Sequence, residues 1–211
     1  MTTGEGLAVP EQTVGALLED CAADAPSGQV IFPDDRADWS GLAGQTDRLA
    51  RALLAAGVRC GDHVGVLLHG QLDSVRCWLA AAKIGAVTVP LNVRFKAAEL
   101  RYVLNDADLA MLLTSTEFLP EVRVALPEPA PTVVALDSGD GPPGCLGRVA
   151  LEAGADRVGV GELAAARRAV RAGDPTIMLY TSGTTAAPRG CRHDHNSLVA
   201  EGAAVAERIG L

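Results

Sequence analysis

Four short, almost wholly apolar runs recur along the chain: His63–Val64–Gly65–Val66–Leu67–Leu68, Val87–Thr88–Val89–Pro90–Leu91, Leu109–Ala110–Met111–Leu112–Leu113 and Thr132 to Leu136. A strand with one wet face alternates polar and apolar residues, whereas a run that is apolar at nearly every position is covered on both faces. Between these runs lie stretches with apolar residues at helical spacing, such as Val75, Trp78, Leu79 and Ala82, or Leu100, Val103 and Leu104. Strands alternating with helices predict βαβ units joined by right-handed crossovers. The fold class is therefore α/β, a largely parallel sheet with helices on both faces.

The remaining elements follow from capping and turn signals. Residues 1–10 read as a flexible tail. Thr13 can cap a helix with Val14, Leu17, Leu18 and Cys21 on one stripe, ended by Pro26. A short strand over Gln29–Phe32 precedes a helix from about Ser40 to Ala56, whose buried face uses Leu42, Leu49, Leu53 and Leu54 and whose end is capped by Gly57. Ala97–Asn105 and Glu117–Leu126 are also helical, and residues 137–148 are loop by composition. A helix over Gly161–Arg171 is stopped by Gly173–Asp174–Pro175, and its arginines, Arg167, Arg168 and Arg171, form a solvated face. Asp194 caps a last helix reaching about Arg208, with Leu198 and Val205 inward. The predicted organisation is a first α/β subdomain over 11–136, a loop-rich connection over 137–160, and the start of a further α/β segment over 161–211.

The chain's 211 residues are long enough to bury a real core, and 48% hydrophobic with 21% charged residues is ordinary for a folded soluble protein. A net charge of −8 with no compensating basic block argues against nucleic acid or an anionic membrane as partner. Five scattered cysteines form no CxxC pair and fit a reducing compartment, so a cytoplasmic location is expected. His193 and His195 lack a third nearby ligand, so no metal site is predicted. No apolar run reaches the length of a membrane span, and the first residues lack the pattern of a signal peptide.

The stretch with chemistry in it is Ile177–Met178–Leu179–Tyr180–Thr181–Ser182–Gly183–Thr184–Thr185–Ala186–Ala187–Pro188–Arg189–Gly190. An apolar strand breaks into small hydroxyl and glycine residues, then a proline, a cation and a second glycine. Consecutive backbone N–H groups with no bulky side chains between them can wrap an anion, the hydroxyls add donors, and Arg189 adds a permanent charge. Small residues also serve ordinary turns, so composition alone leaves both readings open. The spacing is neither GxGxxG nor GxxxxGK(S/T).

Tyr180 to Gly190 resembles the YTSGTTGxPKG signature of the AMP-forming adenylating enzymes, which include acyl- and aryl-CoA synthetases, luciferases and peptide-synthetase adenylation domains. The resemblance extends backwards in order: Gly85–Ala86–Val87–Thr88–Val89–Pro90–Leu91–Asn92 with Glu99 to Asp106 is similar to the family's "GAVxVPLNxR…AELxYxLxDS" stretch, and Asp47–Leu53 with Gly57–Val64 to its "LA…L…GVxxGDxV" segment. It implies an incomplete N-terminal domain of an adenylate-forming enzyme, here an AMP-forming carboxylate–CoA ligase. ATP activates a carboxylic acid to an acyl-adenylate, and the thiol of coenzyme A then takes the acyl group. It further implies that Thr181, Ser182, Gly183, Thr184, Thr185 and Arg189 grip the ATP phosphates, and that His195 matches a histidine near the acyl and nucleotide sites. A first-turn histidine meeting a local hydrogen bond is the alternative for His195.

The departures are Ala186 where the family has glycine and Arg189 where it has lysine, which together point to altered phosphate handling. Family members are more than twice this long. The resemblance places the adenine, Mg and ribose groups and the catalytic lysine beyond Leu211, so no catalytic residue is assigned here and activity of the chain alone is expected to be very slow. The expectation is a fragment that self-associates through an uncovered sheet edge, or pairs with a missing C-terminal part. The alternative function is a non-catalytic nucleotide- or partner-binding module.

Overall fold

The computed structural model describes residues 11–181 and 188–210. The predicted tail over 1–10 and the loop residues Ser182, Gly183, Thr184, Thr185 and Ala186 lie outside the described residues.

The four apolar runs become the centre of a seven-stranded sheet: β3 (His63–Leu67), β4 (Val87–Pro90), β5 (Leu109–Thr114) and β6 (Thr132–Ala135). Two short strands precede them, β1 (Gln29–Ile31) and β2 (Arg36–Asp38), which pair only with each other, antiparallel. The sheet is completed by β7 (Leu146–Gly147), β8 (Pro175–Thr181) and β9 (Arg189–Asp194), in the order β7-β6-β5-β3-β4-β8-β9. Every pairing from β7 to β8 is parallel, and β8–β9 alone is antiparallel. From β3 the chain steps to β4 on one side and then crosses to β5 on the other, so helices fall on both faces.

One face is covered by α2 (Trp39–Ala55), α3 (Leu72–Lys83), α6 (Arg148–Glu152) and α7 (Val160–Ala169), which pack on Val64, Val66, Met111, Leu113 and Val134. The other is covered by α4 (Ala97–Ala107) and α5 (Leu119–Ala125), against Val87, Val89, Leu109, Leu112 and Val133. Each such side chain taken fully out of water contributes roughly 1.5–3 kcal/mol, which is why uniformly apolar strands specify this interior. A third cluster lies outside the first helical layer, where α1 (Val14–Asp24) and the first turns of α8 (His195–Ile209) meet α2 and α3.

The helix ends repay local reading. Thr13 caps α1 by accepting a hydrogen bond from the Ala16 amide at 3.1 Å. Asp38 rather than Ser40 opens α2, accepting from Gly41 N. At its far end Gly57 has φ +100°, the Val58 amide donates to Leu53 O at 3.0 Å and Gly57 N to Leu54 O at 3.1 Å. That is the paired hydrogen-bond pattern in which glycine closes a helix at positive φ.

Three expectations are corrected. Leu17 is 39% exposed, because the core side of α1 runs through Val14 and Leu18. Val205 is 52% exposed, because only the first turns of α8 pack inward and Val199 takes the buried place. Arg167 is not part of a solvated face. Its guanidinium turns in to donate to Asp47 Oδ1 at 2.5 Å and lies 3.4 Å from Glu19, while Arg168 and Arg171 stay exposed. The reason is Lys83, fully buried at the end of α3, which contacts Asp47, lies 2.8 Å from Glu19 Oε1 and donates to Ala43 O at 3.0 Å. Two carboxylates around one buried ammonium leave negative charge that a second cation balances.

Candidate nucleotide-phosphate site

The apolar half of the signature stretch forms β8, and its residues past Pro188 return as β9. The register pairs Thr181 with Arg189, Tyr180 with Gly190 and Leu179 with Cys191. Residues 182–188 therefore connect two partnered ends, with Thr181 on one side and Arg189 on the other, both exposed. This connection leaves the carboxyl end of a strand that runs parallel to β4, and ligands in open α/β sheets sit at the carboxyl ends of strands. Backbone amides, hydroxyls and one guanidinium at such a place suit an anion.

The second glycine is closely packed. A Cβ at Gly190 would lie 2.8 Å from Met178 Sδ and 3.3 Å from the Tyr180 ring, so a larger residue would make the Met178 side chain shift. Tyr180 is held in turn by α4: its hydroxyl donates to Asp106 Oδ2 at 2.6 Å. Burial, then the Asp106 hydrogen bond, push the Tyr180 phenol well above its ordinary range, so it remains a donor at any physiological pH. Sequence reading noted both residues within separate motifs without joining them, because a contact across 74 positions has no local signature. It also missed β9, whose residues are mostly polar and exposed and carry no strand periodicity.

Of the sequence-predicted site residues, Ser182, Gly183, Thr184 and Thr185 lie outside the described residues, and the other three divide into two groups. Thr181 and Arg189 are brought together. His195 is not with them: it begins α8 at the base of the hairpin, beside the Pro175–Asp194 pair. Six residues of extended strand separate it from Arg189, about 20 Å at the usual rise per residue. His195 is fully buried, its Nδ1 accepts a hydrogen bond from the Val14 amide at 3.2 Å, and its own amide donates to Asp174 O at 3.2 Å. Burial lowers its pKa, with Asp174 and Asp194 opposing. The expected cap is present: Asp194 accepts from the Ser197 amide at 2.7 Å, and that bond holds its carboxyl below the usual range. Among the described residues no three His, Cys, Asp or Glu side chains gather as metal ligands, and no helix is long and apolar enough to cross a membrane.

Comparison with known proteins agrees with this architecture. Residues 18–210 match the family described as AMP-binding enzyme. The long-chain-fatty-acid–CoA ligase FadD13 of Mycobacterium tuberculosis is 27% identical over 199 residues, covering 89% of this chain and 36% of the relative. FadD15 of Mycobacterium bovis, another long-chain-fatty-acid–CoA ligase, is 34% identical over 161 residues, covering 75% of this chain and 26% of the relative. The solved structure of a putative long-chain-fatty-acid CoA ligase from Rhodopseudomonas palustris shares the fold with a TM-score of 0.76 at 21% identity, over 97% of this chain and 50% of that one. The chain thus spans about a third of the length of the curated relatives it matches.

Proposed function

Because the chain belongs to the AMP-binding enzyme family, we propose that it is the N-terminal part of an AMP-forming carboxylate–CoA ligase and that its hairpin loop holds the phosphates of ATP. The observation that carries this reading is the partnered Thr181 and Arg189 on either side of the signature loop, at the carboxyl end of β8. In the proposed reaction a substrate carboxylate oxygen attacks the α-phosphorus, the bond to the leaving pyrophosphate breaks, and an acyl-adenylate forms. A coenzyme A thiol then displaces AMP to give the thioester.

The part of this chain is positioning and charge stabilisation, which dominate phosphoryl chemistry. The hydroxyls of Thr181, Ser182, Thr184 and Thr185 donate to β- and γ-phosphate oxygens, and the Gly183 amide approaches closely because no Cβ intervenes. Arg189 neutralises charge as pyrophosphate departs. Mg2+, a hard cation that takes oxygen ligands, supplies further neutralisation on the phosphates when bound. His195, the first residue of α8, stands at the base of the hairpin that carries the loop. Relatives that are fatty-acid–CoA ligases support a fatty carboxylic acid as the substrate class.

Titration calorimetry of the 211-residue chain with ATP and with AMP tests the reading. ATP is expected to bind more tightly than AMP, and Arg189→Ala to weaken ATP by tenfold or more, since a hydrogen bond to a charged group contributes about 1.5–3 kcal/mol. No heat at millimolar ATP would overturn it. Equal binding of ATP and AMP, indifferent to Arg189, would favour a nucleotide-binding module that does not use the phosphates.

A further inference from the structure

The buried ring of His195 makes one hydrogen bond, and it is to an element from the other end of the chain. Because the Val14 N–H points at Nδ1, that nitrogen carries the lone pair and the proton of the neutral ring sits on Nε2. Nε2 is itself buried with no partner among the described residues. An unmet buried donor is costly, and a leucine or phenylalanine would fill the place without one. What the histidine supplies in return is the acceptor. Val14 is the first residue of α1, its amide has no acceptor within the helix, and the Thr13 cap is already used on Ala16.

The same residue is fixed on its other sides to the hairpin. Its amide donates to Asp174 O, the Asn196 amide donates to Ala172 O at 2.9 Å, and Asp194 pairs with Pro175. Thus α1, the turn before β8, the end of β9 and the start of α8 meet at one side chain. The hairpin needs such an anchor, because β8 joins the rest of the sheet through a single registered pair, Thr88 with Ile177, and β9 is the sheet edge.

We propose that His195 is a positioning residue: by accepting the Val14 amide in its neutral form it locks α1 to the base of the β8–β9 hairpin, and so sets the position of Thr181 and Arg189 at the other end. Two consequences follow. The N-terminal helix is a working part of the phosphate-loop support. Protonation of the ring, which turns Nδ1 from acceptor to donor opposite an N–H, releases it. The charged groups acting on the ring are Asp174 in the turn and Asp194 at the end of β9, while α1 presents the Val14 amide. Above about 6.5 the ring is neutral whether the chain is folded or not; as pH falls below that, the unfolded chain takes up a proton that the fold resists, and the lock weakens.

The effect on nucleotide rests on the proposed phosphate role of the loop, whereas the lock itself is read independently by amide hydrogen exchange on the 211-residue chain. Two variants remove it from opposite sides. His195→Leu deletes the acceptor. Val14→Pro deletes the donor at the first helical position, where proline is favoured, after a residue (Thr13, φ −87°, ψ 151°) already in the backbone region that precedes proline. Each is expected to lower protection of the β8 and β9 amides that donate across the hairpin ladder at least tenfold while the Leu79–Ala81 amides of α3 are unchanged. The double variant is expected to add less than a further twofold. His195→Asn, which keeps an acceptor oxygen and cannot be protonated, restores protection to within about threefold and removes the loss seen in wild type between pH 6.5 and 4.5. Hairpin amides as protected as wild type in Val14→Pro, multiplying effects in the double variant, or the same pH slope in His195→Asn each overturn the proposal. Should His195→Leu lose the α3 protection, Val14→Pro and His195→Asn decide alone. If these patterns hold but wild type binds no ATP, the lock stands and the phosphate reading of the loop falls.

Discussion

The centre of the parallel sheet and the β8–β9 hairpin are built on opposite terms. Leu112, Leu113, Val134 and Val89 are fully buried between two helical layers. In β9 the residues from Arg189 to Arg192 are all exposed, and in β8 only Thr176 and Met178 are buried. The sheet centre is held by area, which is non-directional and insensitive to any one polar contact. The hairpin is held by a few named contacts: Tyr180 to Asp106, Gly190 under Met178, and His195 to Val14. Binding loops are drawn from the less stable end of a structure, because they must yield to a ligand, and a rigid scaffold beside them keeps them in place. The contrast assigns stability to one region and adjustable geometry to the other.

The strongest way to break that contrast is to cut equal side chains in both regions. Leu112→Ala is expected to cost about 3–4 kcal/mol, because the site is enclosed and leaves a cavity. Leu179→Ala, at 38% exposure on β8, is expected to cost less than about 1 kcal/mol by the same reasoning on partial burial. Urea unfolding of both variants checks this. Equal losses would mean that the exposed face of the hairpin is covered in solution.

Next in size is the polar knot beneath α1. Lys83→Ala leaves Glu19 and Asp47 with Arg167 alone, and a broken buried pair typically costs about 3–5 kcal/mol. The two carboxylates are 35% exposed and Arg167 remains, so about 3 kcal/mol, the low end, is expected from the same measurement. Lys83→Met restores the apolar stem that lies against Gly15 but not the charge, so it should recover less than half of that loss. If Lys83→Ala were neutral, the ion cluster would be incidental and α1 would be held by Val14 and Leu18 packing and the bond to His195.

Legibility in the sequence follows the same division. The apolar runs announced β3 to β6, and their alternation with helical stretches announced the parallel sheet, because area-driven structure writes itself as periodicity. Thr13, Gly57 and Asp194 were legible because capping is local chemistry. Arg167 was misread for the opposite reason: its partners, Glu19 and Asp47, lie more than a hundred residues away, and an arginine on a short helix looks solvated until they are known. At the site, Thr181 and Arg189 were named by motif, but their cross-strand pairing was not, since polar β9 has no pattern. The position of His195 at the hairpin base was hidden in the same way. A residue count of six past Arg189 gives nearness in sequence, and an extended strand turns it into about 20 Å.

The smallest expected effect sharpens the contrast where the two regions join. Asp194 closes β9 and caps α8, accepting from the Ser197 amide at 2.7 Å, so Asp194→Ala is expected to cost about 1 kcal/mol, the usual value of a lost cap. The carboxyl is held below its ordinary value by that amide, which means that the unfolded chain binds the proton first. Stability from the cap is therefore present in full above about 3.8 and is lost as pH falls below it. The His195 contribution is lost at higher pH, beginning near 6.5. Acid unfolding of wild type should show both losses; Asp194→Asn, which retains a capping oxygen, should lose the lower one and keep the upper, and His195→Asn the reverse. A single common loss in both variants would show that cap and ring titrate as one unit, and the base of the hairpin would then be a coupled pair in which neither residue acts alone.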